Sequence, residues 1–119
     1  MSENANALEH SVLDNLATFL STDKLQALLV RYIDDSQNIL NLLDTALTNN
    51  DVGEATRLVH SLKSTSANVG AVPLSELAKT LEGLARDEKL DDIRQQVSDL
   101  SQLFEATRND IQQLDFMKG

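Results

Sequence analysis

The chain has no cysteine and no tryptophan, one proline and four glycines in 119 residues. Without thiols there is neither a disulfide framework nor a thiolate metal site. So little turn material excludes the many tight connections of an all-β sandwich of this length. Aromatic residues make up only 3% of a chain that is 41% hydrophobic. The core must therefore come from Leu, Ile, Val and Ala, a palette that favours packed helices. No run of about 18 apolar residues is present to cross a membrane. Met1 to Ala7 lacks the basic start and apolar stretch of a secretory signal. A net charge of −9 leaves no cluster of Lys and Arg to grip a polyphosphate backbone, which argues against nucleic acid. The acidic balance points to protein partners, and the cytoplasm is the expected location.

Length suits one domain spanning 1–119, with a helical part over about 7–115. Leu8, Val12, Leu13, Leu16, Phe19 and Leu20 recur at helical spacing and predict a short first helix over about 7–20. Ser21, Thr22 and Asp23 supply cap chemistry. From Lys24 an apolar stripe through Leu25, Leu28, Leu29, Tyr32, Ile33, Ile39, Leu40, Leu43 and Leu47 predicts a long second helix ending at Asn49 to Asp51. The third runs over about 52–69, with Gly70 as its stop. Pro73 suits the first turn of a fourth helix, marked by Leu74, Leu77, Leu81 and Leu84 and ending near Asp87. Asp87 to Asp92 makes a turn, and Ile93, Val97, Leu100, Phe104, Ile111 and Leu114 define the fifth helix. Short loops force neighbours to be antiparallel. The expected fold is all-α: an up-down four-helix bundle with an additional short N-terminal helix.

The third helix carries the informative feature. At about 100° per residue Ala55, Leu58, Val59, Leu62 and Val69 share the core side, which turns His60 almost directly away from it. Around His60 on the outer face stand Gly53, Thr56, Arg57, Lys63, Ser64 and Ala67. A lone helical histidine is ordinarily plain surface, and His10, with no basic neighbour, is expected to be so. His60 differs. The small residues 53, 64 and 67 leave its ring clear for a second protein, and Lys63, one turn on, can meet an anion attached to the ring. Arg57 is a second cation. An imidazole is largely neutral near pH 7 and offers a lone pair without a dedicated base. Phosphoryl transfer passes through a loose, in-line transition state, for which positioning and nearby positive charge matter most.

If helices two and three are antiparallel about Asn50 and Asp51, the level of His60 falls near Asn41, with Asn38 and Thr45 also outward. These would join Thr56, Arg57, Ser64 and Ala67 on a partner surface. No metal site is expected, because the two histidines lie far apart and no Glu-x-x-His pair faces the core; no resident cofactor is expected either. A Ser-His hydrolase lacks an orienting acid and a strained nucleophile turn. The rival reading is a non-catalytic helical adaptor, which has no chemical reason to place an exposed His-x-x-Lys set among small residues.

The run His60-Ser61-Leu62-Lys63-Ser64-Thr65-Ser66-Ala67-Asn68-Val69-Gly70 resembles the signature of bacterial histidine phosphotransfer (HPt) domains, H-x-L-K-G-[small]-[small]-x-x-[apolar]-G. Leu74, Leu77, Leu81, Glu82 and the Asn50-Asp51 turn also fit, so the resemblance covers about residues 8 to 114. It implies that His60 is the phosphoacceptor, modified on Nε2, and that Lys63 attends the phosphoryl group. It implies a monomeric phosphocarrier rather than an enzyme, whose partners are receiver domains of response regulators or hybrid sensor kinases. These supply the aspartate and the magnesium. Ser64 stands where the family often has glycine, and serine is still small.

Overall fold

The computed structural model describes residues 7–118, and every regular element among them is an α-helix. In chain order these are α1 (His10–Ala17), α2 (Thr22–Thr48), α3 (Val52–Asn68), α4 (Val72–Arg86), α5 (Leu90–Gln112) and the single turn α6 (Asp115–Lys118). Helices α2 to α5 form an antiparallel four-helix bundle. Each of α2 and α4 packs against both α3 and α5, and the α3/α4 seam is the most extensive. Its core is largely aliphatic, as the composition required: Leu29, Leu43, Leu58, Leu62, Leu74, Leu81 and Leu100 are fully buried, with Phe104 and Tyr32 as the buried rings among them.

Local chemistry explains where the helices begin and stop. Ser21 and Asp51 cap α2 and α3 by accepting the Lys24 and Glu54 backbone N–H groups at 3.3 and 3.1 Å. Helices α2, α3 and α4 each end on a left-handed residue, Asn50 (φ 53°), Gly70 (φ 82°) and Glu88 (φ 61°). The N–H that follows reaches back to an orphan carbonyl: Asp51 to Ala46, Ala71 to Ser66 and Lys89 to Leu84, each at 2.8 Å.

Three boundaries differ from expectation. Helix α1 is shorter than 7–20, because Glu9 is extended and donates its N–H to the Gly70 carbonyl at 2.6 Å. Phe19, expected on the apolar stripe, lies beyond the helix and is 78% exposed. Helix α5 starts at Leu90 instead of Ile93. Leu90 anchors that first turn in the core, and Asp91 and Asp92 sit where the helix N-terminus favours negative charge. Helical structure also continues past 115 into α6, where the Gln26 amide donates to the Phe116 carbonyl and Phe116 and Met117 pack against the core.

Two polar contacts set how the helices meet. The buried hydroxyls of Tyr32 and Ser66 share a 2.7 Å hydrogen bond, which fixes the register of α2 against α3. Ser75 donates its hydroxyl to the Lys63 carbonyl at 2.9 Å and ties the start of α4 to α3. At Gly70 a Cβ would lie 2.7 Å from the Glu9 carbonyl oxygen and 3.0 Å from Val12 Cβ. Gly70→Ala should therefore cost about 1–3 kcal/mol, through left-handed strain and loss of the α1 dock. Urea denaturation reads this directly, and a wild-type midpoint would show that the α1 dock is loose.

Candidate functional site

The α3/α4 seam is close because small residues line it: Ala55 on α3, and Ala71, Ala78 and Ala85 at heptad spacing along α4 and its cap, all fully buried. Glu82 lies one turn from both Ala78 and Ala85, so the seam that buries them buries its carboxylate as well. Its side chain is only 6% exposed. An unpaired buried carboxylate is strongly unfavourable, and here both oxygens are occupied. Lys63 Nζ donates to Oε1 at 2.7 Å. Arg86 Nη2 donates to Oε2 at 2.6 Å, and His60 Nδ1 lies 2.8 Å from the same oxygen.

These partners decide the charge. The Lys63 hydrogen bond first, then that from Arg86, hold the Glu82 carboxyl down to about 2, against burial that pushes it up; His60 adds a smaller pull in the same direction. At neutral pH the carboxylate is ionised and only accepts. His60 Nδ1 must then be the donor, which leaves the lone pair of the neutral ring on Nε2. The imidazole is 54% exposed, so it is anchored at one nitrogen and open to solvent along the rest of its ring.

The other expected site residues divide. Ser64 and Ala67 are exposed on the strip of α3 that carries His60, as is Gly53. Lys63 is held by Glu82 and is 29% exposed, so it is a paired cation and not a free one. Arg57 is spent in a bidentate pair with Glu54, at 2.8 and 2.7 Å. Thr56 is half-buried and donates its hydroxyl to the Val52 carbonyl at 2.8 Å. Asn41 is not brought to His60. It borders a cleft between α2 and α5 with Gln37, Asp44, Val97, Ser101 and Glu105. The Tyr32–Ser66 register places Asn38, which is exposed, at the level of His60. His10 is exposed on α1.

Glu82 and Arg86 are neighbours of His60 to which sequence reasoning gave no role. A signal for each existed: Glu82 interrupts the apolar stripe Leu74, Ala78, Leu81 and Ala85, and Arg86 follows it at helical i,i+4 spacing.

Comparison with known proteins agrees with this geometry. The family model for the Hpt domain matches residues 27–115. The crystal structure of histidine-containing phosphotransfer protein B (HptB) from Pseudomonas aeruginosa PAO1 is 29% identical, with a TM-score of 0.90 over 97% of this chain and 98% of that one. No curated protein matches the chain in sequence. The chain belongs to the Hpt domain family. Its function is histidine phosphotransfer, as a carrier in a phosphorelay.

Folding lowers the Glu82 carboxyl from its ordinary value of 4.5 to about 2. The stability it contributes is therefore complete above about pH 4.5 and is lost as pH falls through about 2. Denaturant midpoints followed down this range should fall more steeply for wild type than for Glu82→Gln, which has no carboxylate to protonate. Superimposable pH profiles would contradict a charged Glu82 in the fold.

Proposed function

We propose that His60 is the phosphoacceptor and that Nε2 is its nucleophilic atom. The single observation that supports this most is the ionised Glu82 carboxylate on Nδ1, with the rest of the ring exposed. The Nε2 lone pair attacks the phosphorus of a receiver's aspartyl phosphate, the P–O bond to the aspartyl carboxylate breaks, and that carboxylate leaves. Nδ1 keeps its hydrogen throughout. The ring becomes cationic as the P–N bond forms, and Glu82 neutralises it through the hydrogen bond already in place. Transfer to a second receiver aspartate runs the same steps backwards.

Lys63 and Arg86 share the carboxylate and keep N–H groups for the phosphoryl oxygens. The chain acts as a carrier and not as an enzyme: the receiver brings the aspartate and the magnesium. Its docking surface is the outer strip of α3 around His60, with Ser64 and Ala67 giving access and Thr56, Arg57 and Asn38 at its margin. Asn41 belongs to this surface only if the receiver reaches around α2. Among the described residues no helix is long and apolar enough to cross a membrane. We place the carrier in the cytoplasm as a monomer, points that cell fractionation and equilibrium sedimentation test. A passive adaptor has no need of a buried carboxylate orienting an exposed imidazole.

With a phosphorylated receiver as donor, wild type should take up one acid-labile phosphoryl group. His60→Gln should take up none, and His10→Gln should behave as wild type. Label retained by His60→Gln would overturn the assignment. Stopped-flow or quench-flow rates for Lys63→Ala should fall roughly tenfold, about 1.4 kcal/mol in the barrier, with the bundle still folded. An unchanged rate would show that Lys63 serves only the fold.

A further inference from the structure

Around the His60 ring stand one anion and two cations, Glu82 against Lys63 and Arg86. With a neutral imidazole the cluster carries a net positive charge on a chain whose total is −9. Both cations keep solvent-facing surface, Lys63 at 29% and Arg86 at 62% exposure. The acceptor half of the reaction is therefore assembled within one chain: an oriented nitrogen, a carboxylate to neutralise the ring, and positive charge for the phosphoryl oxygens. What a receiver adds chemically is help for the leaving group. An aspartyl carboxylate departs as an anion, and developing charge there needs a cation beside it. A leaving group that departs neutral does not.

We propose that His60 also accepts a phosphoryl group directly from small phosphoramidates, with no receiver and no divalent cation. The inference rests on His60 being the acceptor. The donor nitrogen already carries its protons as an ammonium. Nε2 attacks phosphorus, the donor P–N bond breaks, and its electron pair leaves with neutral ammonia. The new P–Nε2 bond makes the ring cationic, Nδ1 retains its hydrogen, and Glu82 faces the positive charge. The loose transition state spreads its negative charge over oxygens within reach of Lys63 and Arg86. A donor this small needs no docking surface, and Ser64 and Ala67 leave the ring open to it.

His10 provides a control within the same molecule. It is exposed as well, but among the described residues no carboxylate is hydrogen-bonded to its ring. The full chain is incubated with potassium phosphoramidate and excess EDTA, and uptake at each histidine is followed by intact mass and peptide mapping. His60 should be labelled at least about tenfold faster than His10. Glu82→Gln and Lys63→Ala should each shrink that ratio, and His10→Gln should leave the His60 rate unchanged. Equal labelling of the two histidines, or none, overturns the inference. A parallel incubation with a phosphorylated receiver separates the two claims. Uptake from the receiver alone overturns only direct transfer, whereas uptake from neither donor overturns the acceptor assignment as well.

Discussion

A carboxylate buried between two helices constrains everything near it. Glu82 has almost no access to water, so its charge must be met inside the protein or given up. Lys63, Arg86 and His60 meet it, and in doing so they lose freedom of their own. The same contacts that stabilise the charge pin α4 to α3, set which ring nitrogen carries hydrogen, and gather two cations on the carboxylate that the ring shares. Fold and chemistry share one interaction. The site also needs no resident metal for this orientation, since a carboxylate performs for the imidazole what a second-sphere partner does for a metal-bound histidine.

The rest of the bundle serves the seam on which that carboxylate lies. Ala55, Ala71, Ala78 and Ala85 let the two backbones approach, and Ser75 ties the first turn of α4 to the Lys63 carbonyl. Gly70 turns the chain between the two helices and at the same time receives the start of α1. On the other flank Tyr32 and Ser66 hold α2 in register. His60 is thus exposed on a helix braced on both sides, which keeps its ring orientation defined while a partner approaches.

The four long helices were legible because each carries an aliphatic stripe at one period and ends on capping residues. Boundaries failed where the cause was not periodic. Glu88 adopts a left-handed conformation that propensity does not suggest, and Glu9 leaves the first helix for a backbone bond to a residue far along the chain. His60, Lys63, Ser64 and Ala67 were legible as one cluster because one helix carries them all. The role of Glu82 was not, since it comes from a contact 22 residues away across the seam, although an acid inside an apolar stripe was visible. Counting back from a turn only estimates level: it gave Asn41, and the Tyr32–Ser66 contact puts Asn38, one turn away, opposite His60.

The claim at the centre is that Glu82 makes Nδ1 the protonated nitrogen of His60 and leaves Nε2 as the nucleophile. Long-range nitrogen–proton NMR of the uncharged imidazole reads the tautomer without any partner or phosphate. The account predicts hydrogen on Nδ1 and a bare Nε2 for His60 in wild type. Hydrogen on Nε2 with a bare Nδ1 would contradict it.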